Sequence, residues 1–165
     1  GINLGNIYSS PFPKEVMNKV KAPSIMVKPV AAKVLINGRA MTFEAYTIND
    51  SNYFKLRDIA MAIIGTEKQF EVSWDGANNI INLTANKAYT PIRGELSVSE
   101  TPILKMAVIT DSRIYLDGRE IQLAAYNIDG YNYFKLRDIA KALDFSVTWD
   151  EKTKTISIDT AKAYE

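Results

Sequence analysis

The chain contains neither cysteine nor histidine. The first absence excludes disulfides, thiolate catalysis and Cys-based zinc sites. The second removes the commonest metal ligand and the commonest general base. No apolar run approaches the roughly 18 residues that cross a bilayer as a helix. Charge of one sign is not in excess either: 20 Lys and Arg stand against 19 Asp and Glu. Such a balance gives no field to gather nucleic acid or an anionic membrane. No Gly-rich phosphate loop, Gly-x-Ser-x-Gly elbow or Asp-x-Asp-x-Asp-Gly calcium loop occurs. What remains is a chain of 165 residues, 47% hydrophobic and 24% charged, the profile of one ordinary folded domain or two small ones. Its opening, Gly1-Ile2-Asn3, lacks both Met and a signal segment, as expected of a mature chain whose export signal is gone, or of an internal piece.

The sequence repeats itself. Asn52-Tyr53-Phe54-Lys55-Leu56-Arg57-Asp58-Ile59-Ala60 recurs unchanged at 132–140, and 15 of 26 positions agree between 37–62 and 117–142. Trp74-Asp75 pairs with Trp149-Asp150 at an offset of 75 rather than 80, which places five extra residues around Gly65–Phe70 of the first copy. Each copy reads alike. Val34 and Ile36 precede Asn37-Gly38, and Met41 and Phe43 follow it, which is the strongest short hairpin signal. Ile114, Leu116, Asp117-Gly118, Ile121 and Leu123 repeat it. Leu56, Ile59, Ala60 and Ile63 then form an apolar helical stripe, as do Leu136, Ile139, Ala140 and Leu143. Further strands are expected at Ile25–Val27 and Leu104–Ile109, around Val72 and Trp74 with Ile81 and Leu83, and around Val147 and Trp149 with Ile156 and Ile158.

The expected fold is therefore α+β: two tandem repeats, each an antiparallel sheet of about five strands curled around one helix that begins near Lys55 or Lys135. The boundaries read as an arm or linker at 1–23 (with a short helix at Lys14–Val20), repeat one at 24–90, a linker at 91–103 and repeat two at 104–165. A unit of roughly 60 residues buries little apolar surface alone, so the copies are expected to pack together.

These residues resemble the copper amine oxidase N-terminal domain-like family, or stalk domain. The resemblance rests on Asn37-Gly38, Tyr53-Phe54, Leu56–Ala60, Val72-Ser73-Trp74-Asp75 and Ile81-Asn82-Leu83, with the matching set in the second copy. Lys55 and Lys135 stand where members usually carry Pro, which forgoes a preset helix start. The resemblance implies an exported accessory segment of mainly Gram-positive bacteria, extracellular or at the cell surface, beside varied enzymes and apart from the copper-binding part. Fold alone does not carry function.

The expected role is thus a non-catalytic spacer or an attachment to cell-wall polysaccharide. The alternatives are a protein-interaction or dimerisation unit and, more remotely, an acid-dependent hydrolase. No enzyme activity, cofactor, metal site, nucleic-acid partner or membrane span is expected. Asn52-Tyr53-Phe54 and Asn132-Tyr133-Phe134 superficially resemble the Asn-Tyr-acid motif of a quinone cofactor, but Phe replaces the acid and imidazole, the suited copper ligand, is missing. Ligand or partner contacts fall on Tyr46, Tyr126 and Tyr131, with Tyr89 and Tyr164 as further exposed rings. Arg57 and Arg137 offer carboxylate forks, although pairing with an acid or capping a carbonyl, a structural role that both copies would need, is the favoured account of them. Trp74 and Trp149 share strand parity with Val72 and Val147. They are expected in the core with Leu56, Ile59, Ile63, Leu136, Ile139 and Leu143.

Overall fold

The Asn37-Gly38 and Asp117-Gly118 turns set the fold's local geometry. The backbone is left-handed at all four positions, with φ of 51° and 84° in the first turn and 51° and 82° in the second. That is the two-residue turn whose twist suits the strands flanking it. A computed structural model describes residues 24–165; the helix expected at 14–20 lies outside them. The strands are β1 (Ser24–Val27), β2 (Val30–Ile36), β3 (Arg39–Ile48), β4 (Ser51–Lys55), β5 (Phe70–Asp75), β6 (Ile80–Ala85), β7 (Lys105–Ile109), β8 (Arg113–Leu116), β9 (Arg119–Ile121), β10 (Ala125–Ile128), β11 (Tyr131–Lys135), β12 (Ser146–Asp150) and β13 (Thr155–Asp159). The helices are α1 (Leu56–Ala62) and α2 (Leu136–Leu143). Elements thus recur in the same order in the two halves, and both helices follow directly from a strand through an extended lysine.

Each helix buries its predicted stripe. Leu56, Ile59, Ala60 and Ile63 are buried, as are Leu136, Ile139, Ala140 and Leu143. The halves leave their helices differently. Asp144 ends α2 in the left-handed conformation and Phe145 enters the core at once, whereas a turn through Gly65 and Thr66 precedes Phe70. The five extra residues of the first half are this turn.

Among the described residues the structure is mostly β with two helices, but its sheets are mixed rather than antiparallel. The centre is the antiparallel pair β4–β11, with Phe54 opposite Phe134. Outward from β4 lie β3, β2, β13 and β12, and outward from β11 lie β10, β7 and β1. A second sheet runs β5-β6-β8-β9. Residues 122–124 interrupt the strand that matches β3, so β9 and β10 fall in different sheets. Two ladders are parallel: β13 on β2, with Ile156 opposite Val34, and β6 on β8, with Ile81 opposite Ile114. Each C-terminal hairpin thus pairs with the N-terminal hairpin of the other half. Sequence alternation does not distinguish these edges, because both N-terminal hairpins present the same apolar face.

The exchange is reinforced at the turns. Asn37 Nδ2 donates to Thr160 Oγ1 at 2.9 Å, and the Thr160 amide donates to Asn37 Oδ1 at 2.9 Å. In the other half the Ala85 amide donates to Asp117 Oδ1 at 3.0 Å. One contiguous core takes in both helices and both hairpin pairs.

A second, smaller cluster lies on the opposite face of the central strands. β1 pairs with β7, β7 with β10, and β1 also lies against β3. These strands enclose Tyr46, Tyr53, Tyr126 and Tyr133 with Ile48 and Ile128. Tyr46 and Tyr133 meet edge to face at 4.9 Å, and Tyr53 and Tyr126 at 5.2 Å. This corrects the expectation that Tyr46 is a surface contact: it is fully buried, and Tyr126 is half-buried. The reason is that β3 is covered on both faces, Phe43 and Ala45 by the helices and Tyr46 by the tyrosine cluster.

Candidate functional site

Neither tryptophan is in the core. Trp74 is 52% exposed and Trp149 is 46% exposed, while Val72 and Val147 of the same parity are buried. Strand parity puts the rings on the same face as Val72 and Val147, but the helices do not reach that far. Seven residues of α1 extend about 10 Å, whereas the six of β5 extend about 20 Å. Phe70 and Val72 are covered, and Trp74 runs past the start of α1.

Each ring forms one wall of a groove. The first, about 470 Å³, is lined by Lys135 to Arg137, Val147 to Trp149, Ile156 and, from the turn joining β3 to β4, Asp50 to Asn52. The second, about 970 Å³, is lined by Lys55 to Arg57, Val72 to Trp74, Ile81 and, from the turn joining β10 to β11, Gly130 to Asn132. Asn79, Ile92 and the segment 108–112 extend it. The two grooves use matching positions, and each is completed by a turn from the opposite half. The central β4–β11 pair brings this about, since it sets each helix start beside the other half's turn.

The side chains in these walls are held. Trp149 Nε1 donates to Glu151 Oε2 at 2.6 Å. Hydrogen bonds from Lys154 and then Trp149 keep the Glu151 carboxyl below the usual range. Trp74 lies over Gly76 instead, where an added Cβ would stand 3.1 Å from its Nε1. Lys55 Nζ sits 4.1 Å from the centroid of Tyr131, a cation–π contact across the halves. Arg57 Nη1 donates to Tyr89 Oη at 3.3 Å, and Tyr89 donates to Glu95 Oε2 at 2.6 Å. Burial and the bond to Glu95 push the Tyr89 phenol up to about 12. Arg137 Nη1 donates to the Val147 carbonyl at 3.3 Å. Among the described residues, the ion pairs within 4.0 Å include none of Lys55, Arg57, Lys135 and Arg137.

The acids beside the arginines act on loops. Asp58, fully buried, accepts from the Leu96 amide at 2.8 Å, and Asp138 accepts from the Ala124 amide at 3.2 Å. Burial raises the Asp58 carboxyl above its ordinary range despite that bond. Glu44 accepts from the Ser99 amide at 2.8 Å, so, with the Tyr89–Glu95 bond, 91–103 is pinned to the first half at three points.

Of the expected contact residues, the structure brings Tyr131, Arg57 and Arg137 to the grooves; Tyr46 and Tyr126 lie in the tyrosine cluster. Tyr89 is buried behind Arg57 and Tyr164 is half-buried. Trp74, Trp149, Lys55, Lys135, Asn52 and Asn132 also line the grooves, beyond the contacts expected from the sequence. A usable signal existed: Asn52, Lys55 and Arg57 recur unchanged although they belong to no apolar stripe. Among the described residues no three acids cluster as a metal site. Each groove counts one carboxylate in its lining, Asp50 or Asp111, whereas glycoside hydrolysis generally uses two.

The profile of the Copper amine oxidase N-terminal domain matches residues 35–158, and the chain belongs to that family. Its domain is a non-catalytic accessory. The matched segment begins on β2 and ends on β13, where Leu35 pairs with Ser157 and Ile36 with Ile158. No curated protein and no solved structure matches the chain. Copper itself finds no fit here: with no His and no Cys in the sequence, the ligand set suited to that ion is missing.

Proposed function

We propose that the chain is an exported, cell-surface accessory module that attaches the protein carrying it to cell-wall polysaccharide. In this reading it consists of two tandem copies of one repeat that have exchanged their C-terminal hairpins. The observation that carries it is the exposure of both tryptophans on the inner walls of matching grooves. An exposed indole offers a flat apolar face to the C–H face of a sugar ring, and polar groups around it fix orientation. Asn52, Asn132 and Asn79 supply such groups. The test is co-sedimentation with purified bacterial cell-wall sacculi. The wild-type chain should pellet, and the Trp74→Ala/Trp149→Ala double variant should stay in solution; equal pelleting would sink the reading.

A second reading, association with another protein, is favoured by one observation. Met26 and Met106 sit opposite one another on β1 and β7, 57% and 56% exposed, beside Ile103 and Leu104 at 61% each. Such a cluster on an edge ribbon suits pairing with another chain. Sedimentation velocity at rising concentration, with Met26→Lys as control, separates this reading from a monomer.

A further inference from the structure

We infer that both grooves bind an acidic saccharide, a sugar bearing a carboxylate, with the arginine of each groove gripping the carboxylate while the tryptophan stacks on the ring. The inference rests on the polysaccharide reading and names the ligand class within it.

Three observations carry it. Each groove brings one lysine and one arginine beside its tryptophan against a single lining carboxylate. Among the described residues these four cations form no ion pair, although Lys68, Lys105, Arg113, Lys154 and Lys162 all do. Cations thus outnumber carboxylates two to one in the lining of each groove, in a chain whose charges otherwise balance. The arginines are also oriented. Each is tied through Nη1, to Tyr89 Oη or to the Val147 carbonyl. That leaves the Nε and Nη2 edge without a partner among the described residues. This edge is a fork of two parallel N–H donors, matched to the two oxygens of a carboxylate. A neutral glycan needs no such fork; a phosphate would accept it, but a planar carboxylate meets it squarely.

The experiment uses the two tryptophans as reporters, since the chain has 2 and each lines one groove. Intrinsic fluorescence is titrated with oligogalacturonate, with uncharged galacto-oligosaccharide of equal length, and with oligomeric glycerol phosphate. Oligogalacturonate should bind at two sites per chain, about tenfold more tightly than the neutral oligomer, and should weaken as salt rises. Arg57→Gln should abolish the charge preference of the Trp74 groove, and Arg137→Gln that of the Trp149 groove. Arg137 is exposed and holds one carbonyl, so its variant tests the idea without endangering the fold. Equal affinity for charged and neutral oligomers would overturn the inference while leaving the polysaccharide reading standing. Preference for glycerol phosphate over galacturonate would overturn it likewise. If no oligomer binds and sacculi are not pelleted, both fall together.

Discussion

The two grooves are built from one repeated string of residues, yet they hold their parts differently. In the smaller groove, Trp149 is fixed by its hydrogen bond to Glu151, and Arg137 by a backbone carbonyl. In the larger groove, Trp74 settles over Gly76, and Arg57 is held by buried Tyr89 with Glu95 behind it. Where the second half has Ser51 from its neighbour, the first has Tyr131, whose ring carries Lys55. The lesson is that the string 52–60 and its copy specify the common wall, while the flanking loops specify its dimensions. The same division appears in the acids. Asp58 recruits the chain between the halves through Leu96, whereas Asp138 bonds to Ala124, within the break between β9 and β10.

The largest effect should come from the point where the halves are joined. Phe54 and Phe134 face each other across β4 and β11, both essentially fully buried. Phe134→Ala should cost about 3–5 kcal/mol, the usual range for deleting a buried ring. Because the parallel ladders tie each half's hairpin to the other half, the loss should appear as one cooperative transition. Guanidinium unfolding followed in the single-tryptophan variants Trp74→Phe and Trp149→Phe reads each half separately. Two transitions at different midpoints would show that the halves are independent after all.

A smaller effect should separate the two turns. Asn37 exchanges two hydrogen bonds with Thr160, while Asp117 accepts one from Ala85. Both sit at positive φ, so glycine is the replacement that removes the side chain without backbone strain. Asn37→Gly should cost about 1–3 kcal/mol, since it also leaves the amide of buried Thr160 without its acceptor. Asp117→Gly should cost less than that. Matched urea midpoints measure the difference, and equal losses would mean that the Asn37 clamp contributes nothing beyond its turn.

Much of the fold can be read from the residues. The Asn37-Gly38 and Asp117-Gly118 turns, both helical stripes and the strands at Val72 and Val147 follow from local periodicity, and they stand where periodicity puts them. What periodicity does not carry is pairing. β2 and β8 present the same alternation to any incoming strand, so nothing local states that β13 lies on β2 and β6 on β8. Tyr46 was misplaced for a related reason: a strand covered on both faces loses the alternation that marks an exposed side, as the consecutive burial of Phe43, Glu44, Ala45 and Tyr46 makes plain. The grooves were illegible for a geometric reason, since they arise only where a turn of one half meets a helix start of the other. Arg57 and Arg137 were nonetheless within reach, because an unchanged polar residue off the apolar stripe asks for a role.

The smallest effect on stability should come from the tryptophans themselves. Strand parity with Val72 and Val147 implies core anchors whose loss would cost as much as Phe134→Ala. Their exposure, about half of each ring, implies otherwise. The covered part of each ring lies against a groove wall rather than inside the close-packed core, so truncation leaves no sealed cavity, and the cavity penalty that makes core deletions severe is absent. Trp74→Ala and Trp149→Ala should each cost about 1 kcal/mol, near the centre of ordinary point mutations. Thermal melts of both variants beside Phe134→Ala decide the matter. Small shifts in both, with sacculus binding lost, are what two surface platforms require. A melt lowered as far as that of Phe134→Ala would return that ring to the core and leave its groove without its aromatic wall.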